Sequence, residues 1–164
     1  MGMKILKLKY HIAASIRIFF LKLLFGKRFS IGSGSTFRRF FNIYLENGAQ
    51  ISIGKDCFFN HGCSINALKR VSIGDGCIFG ENVKIYDHNH RFSDEDTKIK
   101  EQGFTTATVN IGNHCWFGSN SVVLKGVQIG NNCVIGAGVV VSDDIPDDSI
   151  VTSGRKLSIT KINR

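Results

Sequence analysis

Large apolar residues recur every six positions late in the chain, at Ile111, Phe117, Val123, Ile129, Ile135 and Val141. Glycine directly follows four of them, at Gly112, Gly118, Gly130 and Gly136. Four places after the first five stand Cys115, Ser121, Val127, Cys133 and Val139, all small or β-branched. The same count runs earlier through Ile53, Phe59, Ile65 and Val71, slips by two, and resumes at Ile73, Phe79 and Ile85. A short run at Ile31-Gly32 and a poorer stretch through residues 37–50 predict irregular first coils. A fixed period held for this long is a structural repeat.

A period of six predicts a solenoid of short parallel strands, with three hexads closing a triangular coil of about 18 residues. The large residue points into the prism. So does the small one two places before the next large residue, by the alternation of a strand. Glycine supplies corner conformations that a side chain would obstruct. One coil cannot bury its inner face alone, so neighbours stack into a continuous core. The expected organisation is a basic amphipathic helix over 1–28, a solenoid domain over 29–151 and a tail over 152–164.

The first 25 residues follow a different rhythm. Ile5, Leu8, Ile12, Ile16, Phe19 and Leu23 recur at steps of three and four, and Gly26 ends the run, which predicts an amphipathic helix. Lys4, Lys7, His11, Ser15 and Lys22 fall largely on another face. Arg17 and Lys22 interrupt the apolar run, so it does not read as a transmembrane span. No clear apolar core precedes a small-residue cleavage site, so it does not read as a cleavable signal peptide either.

Charge sharpens the picture of this segment. The formal net charge is +8, the first acidic residue is Glu46, and nine Lys or Arg precede it. The remaining 12 basic and 13 acidic residues nearly cancel. Two readings of the helix stand side by side. Through residues 3–25, with Phe19, Phe20 and Phe25, it lies in the interface of an anionic membrane. Alternatively it packs on the open end of the solenoid or on a neighbouring subunit. Nucleic acid is not the expected partner, because no aromatic-and-basic platform accompanies the charge.

Cys57, Cys63, Cys77, Cys115 and Cys133 all lie four places after a large hexad residue, which is the small inward slot. They read as reduced core thiols of a cytosolic protein. No CxxC pair suggests a metal site.

The repeat is broken once at length. After Ile85 comes Tyr86-Asp87-His88-Asn89-His90-Arg91, and the hexads resume only at Ile111. Residues 88–108 form a long polar loop extruded from the solenoid, and such loops are usually functional. The two histidines at its root are candidate general bases.

The hexads of residues 51–151 resemble those of the hexapeptide-repeat acyltransferases. The Asp87-His88-Asn89-His90 and His114-Cys115-Trp116-Phe117-Gly118 stretches look like the galactoside, maltose and xenobiotic branch, and still more like bacterial polysaccharide O-acetyltransferases. The resemblance implies an all-β fold, a left-handed parallel β-helix, although general crossover rules favour the opposite hand. It also implies an acetyl-CoA-dependent O-acetyltransferase acting on a capsular, lipopolysaccharide or exopolysaccharide hydroxyl. The transfer it implies is direct, with a histidine base and no metal. The resemblance further implies a homotrimer, expected in the cytoplasm or peripheral at the inner face of the cell membrane.

Site residues carry over by the same resemblance. His90, sixth in the count that starts at Ile85, is the catalytic base, with His88 its competitor; Asp87 or a backbone carbonyl orients the imidazole. Asn60 and Trp116 match acceptor-side positions. Ser119 and Ala137 match positions along which the pantetheine arm runs. Ser142, Lys125, Arg155 and Lys156 are candidate coenzyme contacts, with Lys161 further along the tail. Asp143 departs from the family pattern by replacing a lysine that helps hold the coenzyme phosphate. Gly154-Arg155-Lys156-Leu157 departs from the usual terminal element.

Alternative acceptors are a soluble sugar, an amino sugar or an antibiotic. The fold also carries zinc carbonic anhydrases and non-catalytic scaffolds. His61, His88, His90 and His114 supply nitrogens for a metal, but without the H-x4-H spacing such a site needs.

Overall fold

Stacked coils work only if each strand finds its partner one coil away, and that is the arrangement found. The structure is a computed structural model that describes residues 2–154, with side chains from Leu8 onward. Arg155, Lys156 and Lys161 lie outside the described residues.

Three parallel sheets form the faces of a left-handed β-helix. The first face holds Phe29–Ile31, Gln50–Ile53, Arg70–Ile73, Val109–Ile111 and Gln128–Ile129. The second holds Thr36–Phe37, Phe58–Phe59, Ile78–Phe79, Trp116–Phe117, Val134–Ile135 and Ile150–Val151. The third holds Asn42–Leu45, Ser64–Ala67, Lys84–Tyr86, Val122–Val123 and Val140–Val141. Residues 29–50, expected to be irregular, thus supply one strand to each face.

The register sets like upon like. Phe37, Phe59, Phe79, Phe117 and Ile135 form one column, and Ile43, Ile65, Ile85, Val123 and Val141 another. The Phe59 and Phe79 rings stack at 4.3 Å and 3°, and Phe79 and Phe117 at 4.7 Å and 10°. These separations are close to the spacing of hydrogen-bonded strands, so the backbone ladder itself aligns the rings. All three rings are fully buried.

The small slots are filled by thiols that also donate. Cys57, Cys77, Cys115 and Cys133 direct Sγ at the carbonyls of Gly74, Gly112, Gly130 and Pro146, one coil on, at 3.1, 3.2, 3.1 and 3.2 Å. Cys63 does the same to Gly80 at 3.0 Å. All five are buried and unbridged. Burial pushes the Cys63 thiol up, since it disfavours the thiolate.

Glycine after the large residue serves a close approach rather than a special dihedral. A Cβ on Gly74 would lie 2.8 Å from the carbonyl carbon of Gly112, and one on Gly112 2.7 Å from that of Gly130. The left-handed backbone falls two places further on, at Asp56, Gly76, His114 and Asn132.

The helix α1 (Gly2–Phe25) lies against the first coil. Ala14 is buried, and Ile18, Leu21 and Phe25 pack on the core. The predicted apolar stripe is not the face that packs: Leu8, Ile12, Ile16, Phe19 and Leu23 point outward and are exposed. Among the described residues no helix is long and apolar enough to cross a membrane.

Phe79 sits mid-column with rings above and below. Phe79→Ala is expected to lower stability by about 3–5 kcal/mol, measured by urea denaturation; a loss below about 1 kcal/mol would mean that the column is not a main source of stability.

Candidate functional site

At Asp87 the chain stops turning onto the first face and leaves the solenoid. In the coil before it, the corner amides of Leu68, Lys69 and Arg70 therefore lose the carbonyls that a regular next coil would offer. The Asp87 carboxylate takes their place, accepting from the three N–H groups at 2.8, 2.7 and 2.7 Å. Asp87 is fully buried, and this nest of backbone donors is what makes a buried carboxylate tolerable. The Ala107 N–H donates to the Asp87 carbonyl at 2.8 Å and closes the base of the excursion.

The excursion begins and ends as an antiparallel ribbon rather than as a loop. His88–His90 pairs with Phe104–Thr106, matching His88 to Thr106, Asn89 to Thr105 and His90 to Phe104. The Phe104-Thr105-Thr106 run has the aromatic and β-branched make-up of a strand, a signal present in the sequence. At the tip, the Gln102 side chain bonds Asp94 and Thr97.

His88 and His90 are two residues apart in one strand and so share a face. His88 Nδ1 lies 3.1 Å from Asp87 Oδ1, and its ring meets the Phe104 edge at 5.4 Å. His90 is exposed and leans on the same Phe104 ring at 4.4 Å. The carboxylate contact thus falls to His88, while His90 has the open position. Phe104, unremarked in the sequence, is the spacer between them. His90, Arg91, Phe92, Thr105 and Lys125 line a cleft of about 510 Å³.

Lys125 belongs to this corner by register. Counting two places beyond Ile85, Val123 and Val141 gives Asp87, Lys125 and Asp143 on successive coils. Ser142 stands beside them and donates to Asp143 Oδ2 at 2.7 Å.

The remaining candidates sit elsewhere. Asn60, Ser119 and Ala137 each follow a second-face strand, at the corner between the second and third faces. Asn60 Oδ1 accepts from Arg38 Nη1 at 3.2 Å and from the His61 N–H at 2.9 Å. Ser119 Oγ accepts from the Glu81 N–H at 3.0 Å. Trp116 lies on the outer surface of the second face, 54% exposed. One chain therefore carries two separate groups. Asp87, His88, His90, Lys125 and Ser142 gather at one corner, and Asn60, Trp116, Ser119 and Ala137 lie along another side.

The other histidines are dispersed. His61 packs edge-on against Tyr10 at 5.8 Å, and His114 holds a left-handed corner between the first and second faces. Among the described residues no three His, Cys, Asp or Glu side chains are placed to hold one metal ion.

Comparison with known proteins shows what this hexapeptide β-helix, interrupted by a histidine-bearing ribbon, is similar to. The family model described as "Hexapeptide repeat of succinyl-transferase" matches residues 108–143. Nodulation protein L of Rhizobium meliloti is 37% identical over 117 residues, covering 71% of this chain and 61% of the relative. Galactoside O-acetyltransferase of Escherichia coli is 34% identical over 121 residues, covering 74% and 59%. A hexapeptide-repeat acetyltransferase of Vibrio cholerae, solved with acetyl coenzyme A, superposes with a TM-score of 0.70 at 26% identity, covering 83% of this chain and 70% of that one. A galactoside acetyltransferase solved with coenzyme A gives 0.61 at 28%, covering 87% and 70%. The chain is similar to hexapeptide-repeat acetyltransferases in both sequence and fold. It spans about three fifths of the length of these curated relatives.

Asp87→Ala leaves three corner amides without an acceptor. It is expected to cost at least about 2 kcal/mol and to open the excursion to protease, read by urea denaturation and limited trypsinolysis. Unchanged stability and cleavage would show that the carboxylate does not hold the ribbon.

Proposed function

We propose that this protein is an acetyl-CoA-dependent O-acetyltransferase whose acceptor is a hydroxyl of a capsular, lipopolysaccharide or exopolysaccharide saccharide. The observation that carries the reading is a ribbon anchored by Asp87, on which His88 meets the carboxylate and His90 shares a cleft with Lys125. The relatives named for galactoside O-acetylation, and the neighbours solved with acetyl coenzyme A or coenzyme A, support the donor and the reaction class.

A sugar hydroxyl is a weak nucleophile at neutral pH, so it needs a base. In this reading His90, open to the cleft, accepts the hydroxyl proton through a ring nitrogen as the oxygen attacks the thioester carbonyl. The tetrahedral oxyanion is stabilised by hydrogen-bond donors on the solenoid wall. Its collapse breaks the C–S bond and releases the thiolate, which the imidazolium reprotonates. His88, fixed by Asp87, sets the ribbon face on which His90 stands. Lys125 suits a coenzyme phosphate, and the small corner residues Ser119 and Ala137 suit a thin pantetheine arm. Asp143, next to Ser142 and one coil beyond Lys125, opposes a phosphate there, an effect strongest at low salt.

The two groups of candidate residues stand on different sides of one prism. A homotrimer completes the site in this reading: the His90 corner of one copy meets the Asn60, Trp116, Ser119 and Ala137 side of the next. The protein then works in the cytoplasm, at the inner face of the cell membrane where its helix reaches it.

Titration with acetyl-CoA by calorimetry is expected to show saturable binding near one site per chain. His90→Ala should cut turnover at least about a hundredfold while leaving donor affinity nearly intact. If His88→Ala does so instead, the base is the histidine that Asp87 holds. Absent donor binding at millimolar concentration would sink the transferase reading.

A further inference from the structure

The helix α1 is attached by the wrong face for a purely internal role. Its contacts with the solenoid run through Ala14, Ile18, Leu21 and Phe25, with the Arg17 guanidinium 5.7 Å from the centre of the Phe37 ring. The more apolar stripe faces away: Leu8, Ile12, Ile16, Phe19 and Leu23 are 53 to 72% exposed. At 100° per residue these five fall within an arc of about 80°. Contiguous apolar surface of this kind marks a docking face on soluble proteins.

Charge identifies the occupant. No acidic residue occurs before Glu46, while nine Lys or Arg do. Four of them, Lys9, Arg17, Arg38 and Arg39, line a cleft of about 270 Å³ between the helix and the first coil. Lys9, with Ala13, also borders the groove formed by Leu8, Ile12 and Ile16, so the cationic cleft and the apolar stripe are contiguous. A second copy docking helix to helix would bring two acid-free cationic segments together, which Coulomb repulsion opposes. A bilayer rich in anionic phospholipid offers both what the stripe and what the cleft require.

The geometry points to α1 as an interfacial anchor, lying flat on an anionic bilayer with its Leu8–Leu23 stripe in the acyl boundary and the arginines of the cleft at the headgroups. The helix is too interrupted by charge to span, so the contact is peripheral. The ribbon leaves the solenoid after the third coil, about 10–15 Å along the stack from the first. The anchoring itself does not rest on the acetyl-transfer reading, and its test reads binding alone.

The test is co-sedimentation of the full-length protein with vesicles of phosphatidylglycerol and phosphatidylcholine, against vesicles of phosphatidylcholine only. Binding to the anionic vesicles is expected to be at least about tenfold tighter, to weaken as salt rises, and to fall about tenfold or more in the double variant Ile12→Glu/Leu23→Glu. Both positions are exposed, so the variant should keep its fold by circular dichroism. Absence of binding to anionic vesicles near 0.1 M salt, or wild-type binding by the double variant, would overturn the proposal. A change in assembly size by sedimentation equilibrium in the double variant, with no vesicle binding by the wild type, would assign the stripe to a second copy of the chain instead. Acetyl-CoA binding measured on the same preparations keeps failure of the anchor separate from failure of the transferase reading.

Discussion

The interaction on which the rest depends is the parallel backbone ladder from coil to coil. It forces equivalent residues to sit one strand spacing apart, and every other regularity follows. Phe59, Phe79 and Phe117 stack because their strands pair. Asp75, Asn113, Asn131 and Asp147 form a corner chain in which each side-chain oxygen accepts the amide of the coil before it. The close approach at Gly74 and Gly112 is the same constraint at the backbone: coils this near leave no room for a Cβ.

Breaking such a ladder is costly unless its exposed donors are satisfied. The break at residue 87 shows how one side chain achieves this. Asp87 accepts the three corner amides that the diverted chain would have met, and its Oδ1 also faces His88. One carboxylate thus repairs the solenoid and orients the first histidine of the ribbon. The repair of the ladder and the placing of the candidate histidines are fused there, and the pitch of the β-helix fixes where His88 and His90 stand.

The same prism explains why the candidate residues divide. A side chain at a corner cannot reach round a face to another corner, so Asn60 and Ser119 stay apart from His90 whatever their rotamers. In the proposed trimer, contact between copies closes that gap. The helix adds an asymmetry of its own, covering the first coil with a mixed face and leaving its apolar stripe exposed.

The sequence by itself determined the solenoid, because a six-residue period of large residues with small partners has one packing solution. It marked the excursion and its two histidines, since the period stops at Ile85 and restarts at Ile111. It also showed the helix and its two faces. Only the tertiary structure decided which face of α1 packs, because Arg17 over Phe37 and Phe25 beside Phe29 outweigh the simple count of apolar residues. Only it gave Asp87 to His88, set Phe104 between the histidines, and brought Lys125 to His90. The last two join residues 14 to 35 positions apart, and that pairing is set by where coils stack rather than by any pattern along the chain.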